Sequence, residues 1–307
     1  MVEAIVGSAG PVEFVHVHNL RTAMSTAWLL LARRLKARYR FKVLLTDHNA
    51  RWFPMPWLTA GAVDYFVAVS KESEAYLTSL ARRPSVIVPT GIPSDYPGLL
   101  RPSRPWETRT VDLAYFGRLV PWKRPDLVLR LARDLKEPGA AAPRVLIAGS
   151  NVDPAYTAWL HDEARRLGLT ESVEFVLDPS DEEASLLLSR AKVHLLLSAR
   201  VDAMGRSHGS PELCPTTVIE AAACGTPSIC SEVPGAHTQI VEGRTGFVTS
   251  LASWDQLVGQ ARRLLDAPEA WRVMSAEARD FAAKERTYGV LAKHLSDFLD
   301  LSRKGRV

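Results

Sequence analysis

The sequence predicts an α/β protein built as two parallel-sheet domains. Three observations carry that expectation: short β-branched or apolar runs alternate with longer helical patterns, one proline-rich stretch interrupts the alternation, and a second series then resumes it. Strands separated by helical segments are the grammar of a parallel sheet, because each crossover must carry the chain back over the sheet. At about 150 residues per domain, the 307 residues suit two such units.

The first series holds EFVHVHN, KVLLTDH, YFVAVS and SVIVPTG, interleaved with ARRLKARYR and ESEAYLTSLARR. PGLLRPSRPWET, from Pro97 to Thr108, has three prolines and no periodicity, and reads as a linker. The second series runs DLAYFG, a helix from Asp126 to Leu135, RVLIAGS, a helix over Ala155 to Leu167, VEFVLD, a helix over Glu182 to Arg190, VHLLLS, a helix ending near Cys224, and PSICS. Two more helical patterns follow, from Trp254 to Leu265 and from Tyr288 to Leu301, the latter repeating Leu291, Leu295, Phe298 and Leu299 at helical spacing. The expected boundaries are a first Rossmann-like domain over 1–100, a linker over 101–109, a second Rossmann-like domain over 110–277, and a C-terminal helix over 278–307 packing back toward the first.

Composition narrows the function classes. Thirty-eight basic against 34 acidic residues leave +4, too mild and dispersed to argue for nucleic acid. Three cysteines, Cys214, Cys224 and Cys230, form no CxxC pair, so neither a disulfide framework nor a zinc cage is expected, and a reducing cytoplasm is. The start, MVEAIVGSAGP, lacks a basic and apolar leader pattern. The longest apolar run, Ala27 to Ala32, is far below the roughly 20 residues that span a bilayer.

Two motifs carry chemistry. In Glu212-Leu-Cys-Pro-Thr-Thr-Val-Ile-Glu220 two carboxylates are separated by seven residues, Pro215 suits a first helical turn, and Gly225 followed by Thr226-Pro227 suits a stop. A helix beginning at Pro215 offers the free amides of Thr216 and Thr217 and a positive dipole end to an anion. The plainer reading makes Glu212 a dipole partner and Glu220 a solvated residue. Phe116-Gly117-Arg118-Leu119-Val120-Pro121-Trp122-Lys123 follows a strand and precedes a helix. Gly117 there permits close backbone approach, and Arg118 and Lys123 place two cations at the carboxyl end of a strand, where open α/β sheets bind ligands. Basic loop residues that are merely solvated are the alternative.

Together these motifs resemble the retaining glycosyltransferases of family four, with the GT-B fold. AVDYFVAVS, IVPTGIPSDY, YFGRLVPWK and PELCPTTVIEAAACGTPSICSEVPGAHTQIVEGRTGFV each resemble a family element, the last its E-x7-E block. The resemblance implies two Rossmann-like domains facing a cleft, the first shortened and acceptor-side, the second donor-binding. It implies transfer from a nucleotide-diphosphate sugar with retention and without a metal or other cofactor. Arg118 and Lys123 would hold the diphosphate, Glu212 hydroxyls of the transferred sugar, Glu220 the ribose, and His48 the sugar from the opposing wall. The expected catalytic set is therefore Glu212, His48, Arg118 and Lys123, and the donor set Gly117, Arg118, Lys123, Pro215, Thr216, Thr217 and Glu220.

The acceptor is left open among glycolipid, polysaccharide and small molecule. Two or three strand-helix units that precede the counterpart of EFVHVHN in the family are absent, and GSAG at Gly7 to Gly10 is no dinucleotide fingerprint. The expected exposed sheet edge calls for a second copy, a partner chain or a rearranged domain. That departure motivates an alternative reading, a noncatalytic or partner-dependent donor-binding subunit of a split transferase. Leu213-Cys214-Pro215 stands where many relatives have Gly-Phe-Gly. ARRLKARYRFK reads as a solvated face or a contact with anionic lipid, so peripheral attachment at the inner membrane face joins the cytoplasmic expectation. His16 and His18 are expected on different faces of a strand and structural, and Arg206 and His208 are expected to be solvated.

Overall fold

Strands that are covered on both faces need apolar residues without alternation, and the second strand of the chain shows this pattern, with Val43, Leu44 and Leu45 all buried. The structure, a computed structural model, describes residues 12–18, 23–46, 48, 61–209 and 212–304. GSAG at 7–10 lies outside the described residues. Contacts divide the chain into two units, 1–89 with 293–307, and 90–292.

In the first unit, β1 (Phe14–His18), β2 (Lys42–Thr46), β3 (Tyr65–Ala68) and β4 (Ser85–Ile87) pair in parallel in that order. Phe14 lies opposite Lys42, Leu44 opposite Tyr65 and Phe66 opposite Ser85. Among the described residues two helices, α1 (Ala23–Tyr39) and α2 (Lys71–Leu80), cross between strands. Ser70 caps α2 by accepting the Ser73 amide, with Glu72 and Glu74 in the first turn where the dipole favours anions. The core joins Leu29, Phe41, Val43, Leu45, Phe66 and Leu77. The basic stretch after residue 32 is partly neutralised, since Lys36 pairs with Asp64 at 3.0 Å. From the C-terminal end of the chain, Phe298 meets Tyr65 edge-on at 5.8 Å and Arg303 pairs with Glu13.

The second unit is a six-stranded parallel sheet of β5 (Val111–Phe116), β6 (Val145–Gly149), β7 (Val173–Leu177), β8 (Ala191–Leu196), β9 (Ser228–Ser231) and β10 (Gly246–Thr249). Its order is β10-β9-β8-β5-β6-β7. The chain moves outward from β5 to β7 and returns to place β8 on the other side of β5. The order therefore reverses between β5 and β8, and the crevice outside their carboxyl ends is where such sheets take ligands.

The helices of this unit are α3 (Pro97–Leu100), α4 (Pro125–Leu135), α5 (Pro154–Arg166), α6 (Asp181–Ser189), α7 (Thr216–Ala223), α8 (Ala236–Gln239), α9 (Trp254–Leu265) and α10 (Pro268–Glu285), followed by α11 (Tyr288–Arg303). Residues 101–109, expected as a linker, are packed into the second unit. Arg109 is buried and donates to the carbonyls of Arg104, Ala191, Cys224 and Gly225 and to Thr226 Oγ1. Helix α10 runs unbroken across residue 277 and buries Trp271, Met274, Ser275, Ala278 and Ala282 along one stripe.

Candidate functional site

The crevice is built from two loops. After β5 the chain passes Gly117 at φ 150°, beside Gly149 at φ 140° on the exit of β6. A Cβ on Gly149 would stand 1.8 Å from the Gly117 carbonyl oxygen, so the two backbones touch and no side chain fits between them. The Gly117 amide donates to Ala148 O at 3.0 Å and the Leu119 amide to Ser150 O at 2.9 Å, fixing the loop. Leu119 is fully buried beneath it, and Tyr115 Oη donates to Arg118 O at 2.6 Å.

A single 3-10 turn, Pro121 to Lys123, then directs Lys123 inward, where it is buried. Lys123 Nζ donates to Glu212 Oε1 at 2.6 Å, and Ser198 Oγ donates to the same oxygen at 3.3 Å. Arg118 stays exposed with its guanidinium 5.5 Å from the Trp122 ring centre.

Glu212 is held from the backbone as well. Its carbonyl accepts the Gly235 amide at 3.1 Å, and a Cβ on Gly235 would strike Leu213 O at 2.2 Å. Cys214 Sγ accepts the Thr90 amide at 3.2 Å and Gln239 Nε2 at 3.1 Å, while burial pushes its thiol pKa up. Helix α7 begins one residue later than expected. Pro215 is its N-cap, with an extended ψ of 111° and no side-chain cap, so the first-turn amides are left for another partner.

Every residue of the second unit expected in the site lines one cavity of about 330 Å³: Gly117, Arg118 and Lys123 from the first loop, and Glu212, Pro215, Thr216, Thr217 and Glu220 from the second. Thr217 Oγ1 and Glu220 Oε2 are buried there without a hydrogen-bond partner among the described residues. Burial, then the neighbouring Asp181 carboxylate, raise the Glu220 carboxyl to about 7 against the opposing pull of Lys123. A second cavity of about 450 Å³ shares Phe116, Asp181, Thr216 and Glu220 and adds Tyr96 and Tyr288. Arg118 and Lys123 thus line the first cavity and Tyr96 and Tyr288 the second, with Asp181, Thr216 and Glu220 lining both.

His48 belongs to the first unit and is exposed, its Nε2 lying 3.0 Å from His18 Nδ1. The rings of His16 and His18 are 4.1 Å apart, which corrects the expectation that they take opposite faces. Residues two apart on a strand share a face. Burial lowers the His16 imidazole to about 4. His208, expected to be solvated, pairs through Nε2 with the buried Asp202 at 2.8 Å. Ser198 and Asp181 belong to the site and were not anticipated. The signal for Ser198 was a polar residue closing the apolar strand VHLLLS beside a crevice-forming strand end.

A reversed parallel sheet with a phosphate-suited crevice, joined to a second parallel-sheet unit, defines an α/β protein of GT-B-like fold. Residues 99–281 match the family described as Glycosyl transferases group 1, and the chain belongs to that family. It is 30% identical over 179 residues to D-inositol 3-phosphate glycosyltransferase 2 of Catenulispora acidiphila, covering 56% of this chain and 39% of that protein. It is 31% identical over 176 residues to D-inositol 3-phosphate glycosyltransferase of Mycobacterium tuberculosis, covering 56% of this chain and 33% of the relative. The matches thus span less than two fifths of these relatives. Among solved structures, a glycosyltransferase from Rickettsia africae superposes with a TM-score of 0.74 at 19% identity, over 98% of this chain and 79% of that one. Anabaena Alr3699/HepE in complex with UDP gives 0.72 at 15% identity, over 97% and 81%. Among the described residues no helix is long and apolar enough to cross a membrane.

Proposed function

We propose that this chain transfers a glycosyl group from a nucleotide-diphosphate sugar to an acceptor, with retention of configuration and without a metal. The observation that carries the reading is the meeting, in one cavity, of Arg118, Lys123 and the uncapped start of α7 with Glu212 and Glu220. As the glycosidic bond breaks, negative charge grows on the departing diphosphate, and fixed cations and amides stabilise it without reorganising. Glu212 engages Lys123 and Ser198 through Oε1, so Oε2 is the oxygen assigned to hydroxyls of the transferred sugar. Glu220 Oε2, buried and lacking a partner among the described residues, accepts the ribose hydroxyls. Attack comes from the face of the leaving group, and a donor phosphate oxygen takes the acceptor proton, so neither glutamate is a nucleophile. His48 is assigned to the transferred sugar on the family resemblance alone, and the chain works in the cytoplasm.

Calorimetric titration with UDP, GDP, ADP and TDP, followed by donor turnover assays, tests this. One nucleotide should bind, and Lys123→Met should reduce turnover by about 100-fold or more, the scale of losing one charge-stabilising group. Absence of binding by all four would overturn the reading. Binding without turnover favours the second reading, a donor-binding subunit that needs a partner.

A further inference from the structure

The segment after β8 folds into a small antiparallel hairpin. Val201 bridges Ser207, the Asp202 amide donates to Arg206 O at 2.9 Å, and the His208 amide donates to Arg200 O at 2.6 Å. Gly205, at φ +75°, closes the turn. With a period of two, Arg200, Asp202, Arg206 and His208 share one face and Val201 and Ser207 take the other. The one acid on that face is consumed internally: Asp202 is buried and accepts the amides of Met204 and Arg206 and His208 Nε2. Arg200 and Arg206 are exposed, and their side chains have no ion pair among the described residues.

This face reaches the lip of the cavity through His208. The His208 ring lies 6.4 Å from Trp122, over which Arg118 is stacked, and Arg118 itself lines the cavity. The hairpin is also pinned to the turn that delivers Lys123. The Ala199 amide donates to Trp122 O at 2.9 Å, the Ala203 amide to Pro121 O, and Arg124 Nη1 to Val201 O. Ser198, two residues before Arg200, donates to Glu212 Oε1 at 3.3 Å, so the hairpin borders the Glu212 end of the cavity, the end assigned above to the transferred sugar.

We propose that the Arg200–His208 hairpin, beside Trp122, is a subsite for an anionic group of the acceptor, a phosphomonoester or carboxylate. Guanidinium forks recognise such groups bidentately, and the rigid turn presents them without a large ordering cost. The subsite would place an acceptor hydroxyl toward the Lys123–Glu212 pair. This inference rests on the donor reading given above.

The test is titration of inorganic phosphate, glucose 6-phosphate and glucuronate into the full chain saturated with UDP, or with whichever nucleoside diphosphate binds. At least one anion should bind beside the nucleotide, and Arg200→Gln with Arg206→Gln should weaken it by about tenfold or more, the scale of a lost charge-assisted pair. Nucleotide affinity should change less than about twofold in the same samples, since neither arginine lines the donor cavity. The phosphomonoester and carboxylate arms distinguish the two sources of charge. Anion binding that the double variant leaves unchanged, or no anion binding to the nucleotide-bound protein, overturns the subsite. Failure of every nucleoside diphosphate to bind instead sinks the donor reading, and the acceptor role with it.

Discussion

Glu220 is a carboxyl group buried beside a second acid, Asp181, and one of its oxygens has no partner among the described residues. Its pKa rises on folding from 4.5 to about 7. Between those values the folded chain holds a proton that the unfolded chain has released, so stability falls as pH rises through that window. Glu220→Gln keeps the shape and removes the titration. Urea unfolding should find the variant and the parent alike near pH 4, and the variant more stable by up to about 3 kcal/mol near pH 8. Equal pH profiles for the two proteins would rule out a perturbed Glu220. The identity of this residue was legible because seven residues from one acid to the next straddle a proline that starts a helix. Asp181 was not legible, because only the packing of α6 beside α7 brings it near. The histidines of β1 illustrate a different limit: their placement follows from strand period alone and was misjudged.

Helix α7 has one end in the cavity and the other in a clamp of arginines. Arg109 binds the carbonyls of Cys224 and Gly225, and Arg279 binds those of Ala223, Gly98, Leu99 and Arg101. Cations at a helix C-terminus complement its dipole, and these two also satisfy carbonyls that α7 leaves without intrahelical partners. Arg279→Ala orphans four carbonyls at once, so it should cost about 3 kcal/mol or more, read as a lower urea midpoint at unchanged slope. A loss under about 1 kcal/mol would mean that water replaces the guanidinium. Most strands and helices were readable from the alternation of apolar runs with helical periods. Residues 101–109 look like a linker because four partners of Arg109 lie more than 80 positions away. Helix α10 is absent from the sequence expectations although Trp271, Met274, Ala278 and Ala282 recur at helical spacing and Pro268 suits its first turn.

The second unit places its ligand groups on elements that are far apart in sequence and adjacent in the sheet. The cavity draws on the ends of β5 and β6, the turn before α4, the start of α6 and the first turns of α7, so residues from Phe116 to Glu220 meet around one volume. A nucleotide bridging these groups binds only when β5, β6 and α7 are all in place, and it should therefore oppose the opening of the unit as a whole. At about 100 times its dissociation constant a ligand adds about 2.7 kcal/mol, which corresponds to about 100-fold slower exchange of amides that open only globally. Amides of Leu113, Ala114 and Tyr115 in β5 and of Val193 and Leu195 in β8, all buried, are the ones to follow in the full chain by hydrogen exchange with and without UDP or whichever nucleoside diphosphate binds. Lys123→Met should abolish most of the slowing at the same ligand concentration, because the affinity it removes is the source of the added stability. Slowing confined to the loop amides of Gly117 and Thr216, with the β5 and β8 amides unaffected at saturation, would show instead that the nucleotide binds to a locally ordered lip and draws nothing from the sheet behind it.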